Sequence, residues 1–142
     1  MSTTISIGGA SGFWGDAALA TPQLLASGHL DYIVYDYLAE ITMSIMARAR
    51  SADDSRGYAT DFITSVLARN LPEIAARGTK VIANAGGVNP QACAKAARAL
   101  IAEQGLNLKV ATVLGDDLLA QAQAFAASEA REMFSGDAFP DP

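Results

Sequence analysis

Apolar and polar positions along the chain fall into short runs separated by glycine-rich or polar turns. Residues 4–7 (Thr4-Ile5-Ser6-Ile7) predict a first strand that runs into Gly8-Gly9-Ala10-Ser11-Gly12-Phe13-Trp14-Gly15-Asp16. A helical segment of small residues follows to Ser27, with Pro22 inside it and Gly28 at its end. Pro22 is compatible with helix if Thr21 caps a fresh turn. Tyr32-Ile33-Val34-Tyr35-Asp36 is a continuous apolar and β-branched run, which predicts a strand buried on both faces. Residues 40–50 predict a helix with Ile41, Ile45 and Met46 on one side, and residues 51–57 a polar loop. Phe62, Ile63, Val66, Leu67, Leu71 and Ile74 then repeat at helical spacing, with Thr60 as the expected cap and Pro72 as the expected bend.

The second half repeats the rhythm. Lys80-Val81-Ile82-Ala83-Asn84 predicts a third strand, and Asn89-Pro90 is a cap followed by a first helical position. The helix they start buries Cys93, Ala96, Ala97, Leu100 and Ile101 and stops at Gly105. Residues 108–114 predict a fourth strand, and residues 118–133 a last helix capped by Asp116 or Asp117. Strands that alternate with helices imply right-handed crossovers and a parallel sheet. The expected fold class is α/β: a three-layer, mostly parallel, Rossmann-like sheet, with part of a (β/α) barrel as the alternative. About four strands make a thin sheet for this class. Residues 1–134 are therefore expected to form an incomplete α/β domain, with 135–142 as a tail.

Composition narrows the function classes. With 142 residues, 51% of them hydrophobic and 18% charged, the chain suits one folded domain. A net charge of −5 disfavours nucleic acid, whose binding rests on Lys and Arg at phosphates. No apolar run approaches the ~18 residues that span a bilayer, and no charged start precedes a signal-like core. The expectation is a cytoplasmic protein without a membrane partner. One Cys and one His rule out a disulfide within the chain and a Cys/His zinc site.

In a parallel sheet every strand-to-helix turn leaves from the carboxyl edge, where ligands bind. The unusual residues of this chain fall in those turns. Asp36, Asn84, Glu40 and Asp116 are the candidate catalytic groups, as acids, bases or carbonyl-orienting amides. Gly12, Trp14, Asp16, Tyr37, Gly86, Gly87 and Asn89 are the candidate ligand-binding residues. Gly86-Gly87 is read as an anion nest, and Trp14 and Tyr37 as walls for an apolar group. Helix capping is the competing role for Asp16, Asp116, Glu40 and Asn89. Asp36 ends an apolar strand and caps nothing evident. The carboxylates together would suit a hard divalent ion, but none is assigned a metal. His29 falls on the opposite edge, and Cys93 reads as core.

Gly9-Ala10-Ser11-Gly12-Phe13-Trp14-Gly15 also resembles the phosphate-binding turn of extended short-chain dehydrogenases, with Asp36 where a ribose-binding acid would sit. Their catalytic Tyr-x-x-x-Lys pair is missing, because none of Lys80, Lys95 and Lys109 follows a Tyr at that spacing. Close strand–helix packing accounts for the same glycines.

Taken in order, several strings carry a more specific resemblance: Gly9 to Asp16, Leu30-Asp31-Tyr32-Ile33-Val34-Tyr35-Asp36-Tyr37-Leu38-Ala39-Glu40, Arg56-Gly57-Tyr58-Ala59-x-Asp61-Phe62, Asn84-Ala85-Gly86-Gly87-Val88-Asn89-Pro90 and Gly115-Asp116-Asp117-Leu118. They resemble the N-terminal part of the acyclic terpene utilisation proteins. That resemblance implies a role in citronellol- or geraniol-type catabolism, as an enzyme or enzyme subunit with a small-molecule ligand such as a branched acyl-CoA. It names neither a reaction nor a cofactor. An NAD(P)-binding oxidoreductase and a non-catalytic partner of an acyl-CoA carboxylase are the alternatives.

Overall fold

The computed structural model describes residues 4–139. In chain order the elements are β1 (Ile7–Ser11), α1 (Ala17–Ala26), β2 (Tyr32–Tyr35), α2 (Glu40–Ala52), a π-helical segment (Phe62–Leu67) running into α3 (Ala68–Arg77), β3 (Lys80–Ala83), α4 (Pro90–Glu103), a 3-10 turn (Leu119–Gln121) and α5 (Ala122–Ala126). The strands form one parallel sheet in the order β1-β2-β3. The fold is Rossmann-like α/β, as the alternating pattern predicts.

Rows across the sheet explain its two faces. Gly8, Ile33 and Val81 share one row, and Ile7, Tyr32 and Lys80 the next. Partners in parallel strands point the same way. Ile33 is fully buried, whereas Ile7 is 64% exposed. Helix α1 packs on β1, and both α1 and α4 pack on the π/α3 helix, so these helices share the Gly8–Ile33–Val81 face. No described helix packs against the opposite face, where Ile82 and Ile7 remain exposed.

The first strand lies further along the chain than expected. Residues 4–6 precede it, and Gly8 and Gly9, read as turn, are part of the ladder. Close approach explains Gly8: a Cβ there would meet Leu30 Cδ1 at 2.9 Å and Leu24 Cδ2 at 3.0 Å. The glycine lets α1 lie directly on the strand.

Two prolines sit within helices without ending them. In α1, Thr21 does not cap a new turn. It is fully buried, and its Oγ1 donates to Ala17 O at 2.7 Å. Pro72 lies inside α3 and cannot donate to the carbonyl of Ala68. Gln104 Nε2 donates to that oxygen instead, at 2.9 Å. Just before it, Ala68 N reaches back to Ile63 O, a π-type bond. This wider turn buries Phe62, Ile63, Val66 and Leu67 together. Leu71 and Ile74 continue the same buried stripe.

Two expected elements do not form. Residues 108–114 join no ladder, so the sheet has no fourth strand among the described residues. Leu108 and Val110 pack on the core, and Arg98 Nη2 donates to Val110 O at 2.9 Å. The expected helix over 118–133 shrinks to the 3-10 turn and α5, which bury nothing. Leu119 (78%) and Met133 (82%) face solvent, so the apolar stripe that would support a longer helix has no partner. Of the predicted tail, Ala138 forms an antiparallel bridge with Arg131; residues 140–142 lie outside the described residues.

Candidate functional site

The turns after β1, β2 and β3 come together at the carboxyl edge of the sheet, and Asn84 is their junction. Its Oδ1 accepts from Tyr37 N at 2.7 Å, and its Nδ2 donates to Asp36 Oδ1 at 2.7 Å. Ser11 joins the same knot. Its Oγ accepts from Asp36 N at 2.8 Å and lies 3.1 Å from Asp36 O. Asp36 and Asn84, expected to share one site, are thus directly bonded. Both residues are exposed, and no residue of β3, the strand that Asn84 follows, is fully buried.

A second group forms around the turn after β1. The side chain of Asp16 bonds no N–H of α1, so it does not act as the expected helix cap. Its Oδ2 instead accepts from Gly12 N at 2.9 Å, and its buried Oδ1 has no partner. Trp14 Nε1 donates to Asp61 Oδ1 at 2.5 Å. Asp61 is the residue that the site reading missed. Its only signal was its place in the Arg56 to Phe62 string, just ahead of a buried helix face. Tyr37 departs from expectation most. Its ring is fully buried, stacked on Tyr35 at 6.4 Å and edge-on to Phe62 at 5.7 Å, so it does not wall a pocket. Its hydroxyl is buried without a partner. Burial, followed by the negative charge of Asp61, raises its pKa well above the ordinary tyrosine range.

The remaining candidates separate into structural and exposed residues. Asn89 caps α4, accepting from Ala92 N at 3.3 Å. Its amide also donates to Asp54 O at 2.8 Å and Arg56 O at 2.7 Å, fastening the loop before the π segment. Gly86-Gly87 is not an open nest. Gly87 N donates to Asn84 O at 3.1 Å, and a Cβ on Gly87 would lie 2.8 Å from Gly57 O. Glu40 is an exposed first-turn residue of α2. Asp117, not Asp116, meets the backbone at the 3-10 turn, accepting from Leu119 N at 3.1 Å and pairing with Arg50 at 3.3 Å. The carboxylates therefore do not gather: among the described residues no three His, Cys, Asp or Glu side chains form a metal-holding group.

Two cavities flank these groups. A small one of about 220 Å³ is lined by Trp14, Met46, Arg56, Tyr58 and Thr60 among others. A crevice of about 1000 Å³ runs between the edge of β3, the helical face and residues 108–116. Its walls include Leu71, Cys93, Ile101 and Val110, and both Asn84 and Asp116 line it. It exists because 108–114 stands away from β3 instead of pairing with it. No helix of the described residues is long and apolar enough to cross a membrane.

A family model described as acyclic terpene utilisation family protein AtuA matches residues 5–141. No curated protein and no solved structure matches the chain.

Proposed function

The chain belongs to the acyclic terpene utilisation family AtuA, and from that premise we propose that it holds a branched isoprenoid acyl ligand, such as an acyl-CoA, in the crevice beside β3. The observation that carries this reading is the pairing of an apolar crevice with the Asn84–Asp36 knot at the carboxyl edge. At about 1000 Å³ the space falls at the upper end of the usual range for small-molecule sites, roughly 300–1,000 Å³. Leu71, Ile101 and Val110 suit a branched hydrocarbon chain. Asn84 Nδ2 spends one N–H on Asp36 and keeps a second for an acyl carbonyl. Asp36 lies one hydrogen bond behind it and is the chain's best-placed base. Lys80 and Lys109 on the crevice wall supply positive charge for the ligand's anionic end.

The dinucleotide reading draws on the turn after β1. There the Gly12 N–H that would meet a pyrophosphate is occupied by the Asp16 carboxylate, which repels phosphate. The acyl reading is favoured for that reason.

Calorimetric titration of the purified chain with citronellyl-CoA tests it. Binding is expected, weakened about tenfold or more by Ile101→Glu, which puts a charge on the apolar wall, and by Asn84→Ala. Absence of binding, or equal binding by both folded variants, would sink the reading.

A further inference from the structure

We propose that the open edge of β3 binds the amide groups of a phosphopantetheine arm. The inference deepens the crevice reading and rests on it for the acyl group that the arm carries. Its own footing is a set of backbone atoms which that reading leaves unused. Residues Lys80 to Asn84 all line the crevice. Successive side chains of a strand point to opposite faces. Consecutive residues therefore share one crevice only where it runs along the edge of their strand.

The ladder decides which backbone groups face that crevice. Lys80 N donates to Asp31 O at 2.9 Å and Asn84 N to Tyr35 O at 3.4 Å, both towards β2. In a parallel ladder a residue turns its N–H and its C=O to the same neighbour, and the next residue turns both away. The N–H and C=O of Val81 and Ala83 thus point away from β2, into the crevice. β3 ends the sheet, and among the described residues no strand pairs with that side. The opposite wall is alike: residues 108–114 make no backbone–backbone hydrogen bond among the described residues.

These groups define what the occupant must offer. Backbone N–H and C=O require partners, and a hydrocarbon chain supplies none. A secondary amide in an extended chain directs its N–H to one side and its C=O to the other. It therefore donates to one wall and accepts from the other, as an added strand would. The phosphopantetheine arm of an acyl thioester carries such amides between its phosphate and its thioester. The order along β3 matches. Lys80 starts the strand, Val81 and Ala83 follow, and Asn84 comes after, roughly 13 Å from Lys80 at the rise of a strand. Lys80 and Lys109 on the crevice wall meet the phosphate, the β3 edge meets the amides, and the second N–H of Asn84 meets the thioester carbonyl. A peptide strand would find the same edge but would offer the lysines no phosphate.

Phosphopantetheine without an acyl group, citronellic acid and a capped apolar tripeptide are each added to the nitrogen-15-labelled chain, and amide exchange is read residue by residue. Phosphopantetheine is expected to slow exchange at Val81 and Ala83 about tenfold and to leave Lys80 and Ile82, which already face β2, unchanged. The acid and the tripeptide should protect neither Val81 nor Ala83. Ala83→Pro removes an outward N–H without touching the β2 ladder, and is expected to raise the half-saturating concentration about tenfold. Should that variant misfold, the exchange pattern of the parent decides. Coenzyme A is titrated in parallel. A lower half-saturating concentration than that of phosphopantetheine assigns the arm to the free coenzyme, and an equal or higher one to a carrier protein, whose arm bears no nucleotide. The proposal is overturned if phosphopantetheine leaves Val81 and Ala83 unprotected, if all of these amides slow equally, or if the tripeptide protects them as well. Citronellyl-CoA binding that depends on Ile101, without protection at Val81 and Ala83, would sink this proposal alone. Protection there, with citronellyl-CoA affinity unmoved by Ile101→Glu and Asn84→Ala, would sink the acyl reading alone.

Discussion

Asn84 bonds Asp36 side chain to side chain at 2.7 Å, and the same amide accepts from Tyr37 N at 2.7 Å. One residue at the end of β3 thereby sets the shape of the turn that follows β2. The Tyr37 bond is partly buried, so its loss leaves a backbone N–H without a partner. Asn84→Ala is expected to cost about 1–2 kcal/mol in urea unfolding. Asn84→Asp should cost more above the carboxylate pKa range, since it sets two negative charges at hydrogen-bond distance, and should recover at acid pH. Equal stability of the two variants across pH would show that the Asp36 contact contributes nothing.

Gly87 is held by its surroundings as much as by its backbone. Its φ is +52°, and an added Cβ would stand 2.8 Å from the carbonyl oxygen of Gly57 and would press on Met46. Backbone cannot retreat as a flexible side chain can. Gly87→Ala is expected to destabilise the chain by about 1–3 kcal/mol. It should also loosen residues 53–59, read as faster amide exchange there. Unchanged exchange would mean that the Asn89 amide alone holds that loop.

What the sequence reveals of this fold follows from what each residue type reports. β2, β3 and the start of α4 were legible because β-branched runs and an Asn-Pro start signal depend on local preferences that the tertiary structure keeps. β1 was misplaced because Gly8 and Gly9 have no side chain with which to signal a face, and only the positions of Leu24 and Leu30 explain the close packing at Gly8. Residues 108–114 have strand composition, but composition reports a fit to a half-buried surface and not a pairing partner. Leu108 and Val110 find that surface on the core without a ladder. In the site, the proximity of Asp36 and Asn84 followed from parallel topology alone. The burial of Tyr37 did not, because a residue beyond a strand end can turn inward or outward. The pairing of Trp14 with Asp61 joins residues far apart in sequence and has no local sign.

Cys93 gives the crevice a chemical reporter. The thiol is 7% exposed, lines the crevice, and is pushed by burial from the ordinary 9.0 up to about 11. Below pH 9.0 the thiol is protonated whether the chain is folded or not, and its contribution to stability is fully present. As pH rises towards about 11, the unfolded chain loses the proton first, so stability falls. Urea midpoints at about pH 8 and about pH 10 should therefore differ more for the parent than for Cys93→Ala. Labelling by a thiol reagent near neutral pH should be slow, and slower still with citronellyl-CoA bound. Labelling that the ligand leaves unchanged would place the ligand outside the crevice.

Pro72 and Gln104 test whether a side chain can replace a helical hydrogen bond. Proline offers no N–H to the carbonyl of Ala68, and Gln104 Nε2 fills that vacancy from the end of α4 at 2.9 Å. The bond also ties α4 to α3, so it joins two helices of the single covered face. Gln104→Ala should cost about 1–2 kcal/mol, because the carbonyl is partly buried and loses this side-chain donor. In a Pro72→Ala background the cost should shrink, since an alanine at that position would bring its own N–H to the same oxygen. A double-mutant cycle on urea midpoints measures the difference, with a coupling of about 0.5–1.5 kcal/mol expected. Strict additivity would show that the helix meets the proline in another way, by water or by local unwinding. The glutamine would then act only as a packing contact between α3 and α4.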